Sequence, residues 1–374
     1  MKILITVEFY HAPGGGGIAE QARQIAEGLV LRGHEVTVAT SFCEGRPALI
    51  NGVRISGFRV VGSLVKGIRG EKEAYRRFIL GGNYDVILNF AADTWTTDLA
   101  FEIADSIHAR KVLSTPGLSK VGDPRFNSYY ESAYVNALRK YDRIVYTSPR
   151  YRDKLFGDKH GLGDKAAVIP NGAGAEFLAP SIGFKSHYNI TTPHLFLDVS
   201  NHFFAKGHQF VIEAFRRLNR DDATLVIIGG LPTRHSWYSC YPFCAAQGIL
   251  NRRIRILGNV PRSYVVSAYQ ESDAFLFGSK LECAPLVMYE SFASKTLFIT
   301  TDIGNVRDHE TCVTIVKTPK AMASAAEHFL EHKDERREIT DRAFELWKRD
   351  HTWETIAMRY EALFGEIAKA KSSS

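Results

Sequence analysis

Short apolar runs rich in β-branched residues alternate with stretches of helical period along nearly the whole chain, and they do so in two series. KILITVEF, EVTVAT, YDVILNF, RKVLST and DRIVYTS are strand-like in the first series. HLFLDVS, ATLVIIGG, RIRILGNV, DAFLFGS, TLFITT and TCVTIV are strand-like in the second. Between them lie segments such as IAEQARQIAEGLVLRG and KGHQFVIEAFRRL, whose apolar residues recur at helical spacing. Strands joined through helices pair in parallel, because only a long crossover returns the chain to the same sheet. The pattern predicts an α/β fold of two facing domains, each with its ligand crevice at the carboxyl ends of the strands. A length of 374 residues also exceeds one ordinary core. The polar stretch 175–193 reads as the connection between the two series.

The most informative stretch of the second series is SKLECAPLVMYESFAS, residues 279–294. Glu282 and Glu290 bracket a Pro-Leu-Val-Met run that suits the start of a buried helix, with Pro285 in its first turn. The free N–H groups and dipole of such a helix start favour a phosphate. Glu282 then lies on the preceding loop and Glu290 more than one turn inside the helix. A carboxylate there can accept two bonds from the vicinal hydroxyls of a ribose. In the first series, HAPGGGG follows the first strand, and its consecutive glycines let the backbone approach a phosphate or sugar closely. It lacks the G-x-G-x-x-G spacing, and EVTVAT does not end in the acidic residue of a dinucleotide site.

Composition narrows the class. Hydrophobic residues at 45% and charged residues at 24% are those of a soluble globular protein, and no apolar run approaches a membrane span. The N-terminus reads as a first strand and not as a signal peptide. Five scattered cysteines suit a reducing cytoplasm; Cys240 and Cys244 could share a helix face, but two ligands make no metal site. The net charge of +6 is modest and its surplus lies in the N-terminal half, notably in LVKGIRGEKEAYRRF. That run suits a solvated helix face or contact with an acidic acceptor or the inner face of a membrane. Nucleic-acid binding is disfavoured, since no basic repeat or recognition motif is present.

Five blocks in order resemble the family 4 glycosyltransferases of the GT-B fold: GHEVTV with its preceding glycines, IPNG, AKGHQFVIEAF, the long block RILGNVPRSYVVSAYQESDAFLFGSKLECAPLVMYESFASKTLFITT with its E-x7-E pair, and HTWETIAMRYEALF. The resemblance covers nearly the whole length. It implies an N-terminal Rossmann-like acceptor-side domain at 1–180 and a C-terminal Rossmann-like donor domain at 181–345. Residues 346–374 would form a helix returning to the N-terminal domain, and a deep cleft would separate the two domains. It also implies a retaining transfer of a sugar from a nucleotide-diphosphate donor to a hydroxyl of a glycan, lipid-linked or small-molecule acceptor. Surface polysaccharide or glycolipid assembly is the family-level expectation. A catalytically silent subunit and a sugar-nucleotide 2-epimerase are the alternatives on the same fold.

Residue by residue, Lys206 matches the lysine on the donor diphosphate, Glu282 the carboxylate beside sugar and diphosphate, and Glu290 the one on the ribose. Pro285, Leu286 and Val287 match the helix start on the pyrophosphate, and Gly16 and Gly17 the glycine pair facing the donor. Asn201 stands where many members have a basic residue, with His202 and His208 as substitute phosphate ligands. Pro116 stands where many members have an active-site histidine, which leaves Asp93 and Trp95 as candidates for acceptor contact. No D-x-D motif occurs, so no metal or other cofactor is expected in the reaction.

Overall fold

The computed structural model describes residues 1–12, 15–118, 120–230 and 239–372. The chain forms two compact units, Met1–Asn171 with Trp353–Ser374, and Gly172–Thr352.

The first unit is built on an eight-stranded sheet. Its order is Ala166–Val168, Arg143–Tyr146, Arg110–Thr115, Val86–Phe90, Lys2–Thr6, Glu35–Ser41, Val53–Phe58, Leu49–Ile50. Only the last pair is antiparallel. Val86–Phe90 is buried at every position, as expected of a parallel strand covered on both faces. The strands Val53–Phe58 and Leu49–Ile50 were not anticipated; RISGF carries a glycine and an arginine and sits at the sheet margin, where the hydrophobic run is broken.

The closing helix, Trp353–Ser372, belongs to this first unit, as the resemblance implies. It packs on the helix Gly16–Leu31, where Gly28 admits it: a Cβ there would stand 2.8 Å from the Ala357 Cβ. Glu361 accepts from His34 Nε2 at 2.8 Å and pairs with Arg32. Tyr360, fully buried, lies 3.2 Å from the Ser114 hydroxyl at the end of a central strand.

The second unit has six strands, all parallel, in the order Ile254–Gly258, Ala223–Gly229, His194–Val199, Ala274–Phe277, Leu297–Thr301, Thr314–Val316. In sequence terms this is 3-2-1-4-5-6, the doubly wound order, and the parallel strands of the first unit follow it too. Each sheet therefore reverses direction of winding beside its first strand. Chains leaving the two neighbouring strands part there, and the crevice they leave is where ligands bind in such sheets. Among the described residues, no helix is long and apolar enough to cross a membrane.

Candidate active site

In the second unit the winding reverses between His194–Val199 and Ala274–Phe277, where Phe196 pairs with Ala274. The loop leaving the first strand carries Lys206, and the loop leaving the second carries Glu282. Two glycines bring these loops together. Gly207 has φ +70°, and a Cβ on it would lie 1.8 Å from the Gly278 carbonyl oxygen. A Cβ on Gly278 would in turn meet the Gly207 carbonyl oxygen at 2.7 Å. Only residues without side chains permit this backbone contact. It is fastened by the Lys280 N–H, which donates to the Ala205 carbonyl at 2.7 Å, and by the Ser279 hydroxyl, 3.1 Å from the same oxygen.

On that frame Lys206 Nζ donates to Glu282 Oε1 at 2.7 Å, and Ser279 Oγ donates to the same oxygen at 2.8 Å. The Lys206 side chain is 28% exposed and that of Glu282 13%. The pair is thus partly withdrawn from water, where the charges act on each other and on a ligand more strongly than at an open surface.

Beyond Glu282 the helix runs Leu286–Ala293, with Pro285 at its N-cap, one residue earlier than the first-turn place expected. The first-turn N–H groups, including those of Leu286 and Val287, have no carbonyl to meet within the helix. Glu290 lies in the second turn, 7% exposed, and both its oxygens are engaged. Tyr269 donates its hydroxyl to Oε2 at 2.8 Å, and Arg262 Nη2 stands 2.7 Å from Oε1. Arg262 also donates to Glu176 at 2.9 Å and lies over the Phe177 ring. Burial opposes the charge on Arg262, but Glu290 and Glu176 outweigh it and raise its pKa. Burial, followed by the Glu290 carboxylate, holds the Tyr269 hydroxyl protonated. Each carboxylate oxygen has two lone pairs, so Glu290 retains capacity to accept from a ligand.

Asn201 is exposed at the end of the same strand, with its side-chain oxygen close to Gly230. His202 and His208, considered as phosphate ligands, are instead 5% and 1% exposed and turn into the unit beside Cys240 and Cys244. Burial removes them from any ligand reached through solvent.

In the first unit the winding reverses between Lys2–Thr6 and Val86–Phe90. Gly16 and Gly17 are exposed at the first turn of the helix Gly16–Leu31, Gly16 with φ +57°. Pro13 and Gly14, in the same glycine-rich turn, lie outside the described residues. Asp93 follows the other strand in a left-handed conformation, φ +55°. Its Oδ2 pairs with Lys120, while its buried Oδ1 has no hydrogen-bond partner among the described residues. Tyr129 ties it to a second acid: the Tyr129 oxygen accepts the Asp93 N–H at 2.8 Å, and its hydroxyl donates to Asp98 Oδ1 at 2.7 Å. The Leu64 N–H donates to the other Asp98 oxygen at 2.8 Å. Burial pushes the Asp98 carboxyl up to about 7 against these two bonds. Glu8 is raised as well, by burial, with Lys66 opposing and Asp93 adding to the rise. Trp95 does not join this group. It is wholly buried against Phe58 and Tyr75 and donates its ring N–H to Ser41, so the acceptor contact expected of it is replaced by a core role. The helix Trp95–Glu102 turns its first residue inward because every position from Trp95 to Phe101 is buried.

Two family models match the chain: "Glycosyltransferase Family 4" over residues 15–177 and "Glycosyl transferases group 1" over residues 184–346. The two stretches are consecutive and together take in most of the sequence. The chain belongs to glycosyltransferase family 4. An uncharacterized glycosyltransferase of Methanocaldococcus jannaschii is 24% identical over 383 residues, covering 96% of each chain. Among solved structures, sucrose-phosphate synthase from Thermosynechococcus elongatus superposes with a TM-score of 0.82 at 16% identity, over 99% of both chains. HepE from Anabaena, solved with UDP, superposes with a TM-score of 0.77 at 16% identity over the full length of both. The fold is GT-B, with two parallel-sheet Rossmann-like domains.

This glycosyltransferase is therefore an enzyme that transfers a sugar from a nucleotide sugar. Sequence reasoning named Lys206, Glu282 and Glu290 but missed Arg262 and Tyr269, the partners of Glu290. Both lie within RSYVVSAYQES, which reads as an ordinary amphipathic helix; nothing in its spacing marks two residues aimed at a carboxylate. Asp98, Tyr129 and Lys120 were missed for the same reason, coming from three separate segments of the first unit.

Proposed function

We propose that this glycosyltransferase moves a hexosyl group from a UDP-sugar to an acceptor hydroxyl with retention of configuration at the anomeric carbon. The observation that carries the reading is the Lys206–Glu282 pair, fixed by the Gly207–Gly278 contact beside the start of the helix Leu286–Ala293. It is supported by the HepE structures, solved with UDP and with UDP-glucose.

In this reading the bond from the anomeric carbon to the β-phosphate oxygen breaks as an oxocarbenium-like sugar forms. Charge grows on the diphosphate, and Lys206 with the N–H groups of Leu286 and Val287 stabilises it. The acceptor oxygen bonds to the anomeric carbon on the face the diphosphate leaves, and its proton passes to the departing phosphate oxygen. Glu282 stands by the sugar, and Glu290 accepts from the ribose hydroxyls. The acid group of the first unit, Asp93 above all, suits the hydroxyls of a glycan, lipid-linked or small-molecule acceptor, in surface polysaccharide or glycolipid assembly. Peripheral contact with a membrane would draw on the basic run at 64–78.

Calorimetric titration with UDP tests the donor side. Lys206→Ala removes a charge-assisted bond and is expected to weaken UDP binding roughly thirtyfold or more, with the fold intact; Glu290→Ala is expected to weaken it severely as well. If both variants bind UDP as the unaltered chain does, the site is wrongly placed. The side chain of Pro116 can neither donate nor accept a proton where many members carry a histidine, so in this reading the transfer proceeds without that group. Transfer of a UDP-sugar by the purified chain tests it.

A further inference from the structure

Four potential metal ligands converge in the second unit, on the side of the strand ends where Lys206 is presented. His202 lies in the loop after His194–Val199, and His208 opens the helix His208–Leu218. Cys240 caps the helix Tyr241–Leu250, and Cys244 lies one turn inside it. All four are buried, and their ligand atoms lie within 4.8 Å of one another. The two cysteines are free thiols.

We propose that His202, His208, Cys240 and Cys244 bind one Zn²⁺ in a closed, structural Cys₂His₂ site that ties the Lys206 loop to the helix Tyr241–Leu250. The proposal rests on these four side chains and stands or falls apart from the proposed reaction.

The distances fit. Zinc–sulfur bonds of about 2.3 Å and zinc–nitrogen bonds of about 2.0 Å, arranged tetrahedrally, put sulfur and nitrogen about 3.5 Å apart. His208 Nδ1 lies 3.3 Å from Cys240 Sγ and 3.5 Å from Cys244 Sγ. The widest pair, within 4.8 Å, would close by about 1.5 Å at most, since tetrahedral edges around zinc run from about 3.3 Å between nitrogens to about 3.8 Å between sulfurs. The chain spacings, H-x5-H and C-x3-C, are those of structural zinc ligands.

The surroundings fit as well. The other nitrogen of His208, Nε2, is 2.7 Å from Ser200 Oγ, and Ser200 donates to Asp198 Oδ1 at 2.8 Å. Asp198 is fully buried. A carboxylate behind a ligating histidine, here relayed through a serine, fixes the ring and strengthens it as a ligand. His202 Nδ1 is buried without a hydrogen-bond partner among the described residues, a cost that buried polar atoms seldom bear unless an ion or water is missing. Two thiolates also neutralise the ion's charge, which an apolar setting requires.

Four protein ligands leave no open position, which makes the site structural and not catalytic. A two-iron cluster would separate the cysteines on one iron from the histidines on the other. Here one histidine nitrogen touches both sulfurs, so all four ligands surround a single centre. Softness and tetrahedral S₂N₂ geometry then select zinc.

The test is the metal content of the untagged full chain, purified under reducing conditions without added metal. About one zinc per chain is expected, retained through dialysis and lost to a strong chelator with a fall in thermal midpoint. Refilling with Co²⁺ should give the visible bands of a tetrahedral thiolate-bound ion. Cys244→Ser should bind zinc at least tenfold more weakly, and Cys43→Ser, a cysteine of the first unit, should bind it as before. A chain that holds no zinc and takes up neither Zn²⁺ nor Co²⁺ overturns the proposal, as does iron or copper in its place. The wild-type measurement decides the matter even if Cys244→Ser fails to fold.

Discussion

At the winding reversal of the second unit stand a lysine, a helix start with free N–H groups, and two carboxylates already bonded to donors. At the corresponding place in the first unit stand three acids, Glu8, Asp93 and Asp98, two of them with raised pKa values, and Lys66 and Lys120 beside them. Both sheets contain the 3-2-1-4-5-6 order, the first with one further strand at each edge. The topology thus supplies a crevice, and the residues leaving two neighbouring strands decide its chemistry. The second unit offers donors suited to an anion; the first offers acceptors suited to hydroxyl groups.

The difference extends to how each site is held. The second unit fixes Lys206 and Glu282 by backbone contact between two glycines, which leaves no slack. The first unit fixes Asp93 and Asp98 through one tyrosine hydroxyl that accepts from a backbone N–H and donates to a carboxylate. A glycine contact fails when any side chain enters, whereas a hydrogen-bonded relay tolerates a substitution that keeps its partners.

Gly207→Ala is the sharpest way to break the comparison. Its added Cβ would lie 1.8 Å from a carbonyl oxygen at φ +70°, so the loop must move, and a loss of about 3 kcal/mol or more is expected. Denaturant titration should show this loss in the transition of the second unit alone. A loss under about 1 kcal/mol would mean that the glycine contact is not what holds Lys206 to Glu282.

Arg262→Ala probes the second carboxylate with a smaller effect. Glu290 keeps Tyr269 but loses its charged partner and its fixed orientation, and UDP affinity should fall about tenfold, or about 1.4 kcal/mol. Tighter binding would instead show that Arg262 competes with the nucleoside for the carboxylate.

Asp98→Asn carries the smallest effect and tests the first unit by pH. The folded-state pKa of Asp98, about 7, lies above its ordinary value of 3.8, so the folded state holds the proton more firmly. Stability from this group is therefore full below about 4 and lost as pH rises toward 7. The amide carries no charge, so the variant's thermal midpoint should decline less across that window than that of the unaltered chain. An unchanged slope would place the titration elsewhere.

Legibility differed between the two regions for a physical reason. Glu282, Pro285 and Glu290 share one short segment, so their spacing alone carries the relation between loop, helix start and helix interior. Lys206 was legible only through the resemblance of AKGHQFVIEAF to the family's lysine-bearing segment, since a lysine beside a helix-opening glycine is by itself an ordinary surface residue. In the first unit Glu8 follows one strand while Asp93 and Asp98 follow another, Asp98 inside the helix Trp95–Glu102, and no spacing in the sequence measures a distance across a sheet. Trp95 shows the cost: its place just after a strand suggested an exposed contact, but the turn at Asp93 sends it inward. Cys240 and Cys244 show the same limit from the other side, two ligands whose partners lie some thirty residues earlier.

The sequence by itself determined the two α/β series, the helix start at 285–287 and the E-x7-E segment, because apolar periodicity and local backbone preference act over a few residues. Only the tertiary structure decided which side chains stand together. It brought Arg262 and Tyr269 onto Glu290, Tyr129 between two acids, and two histidines onto two cysteines, because parallel pairing sets side by side strands that lie far apart along the chain.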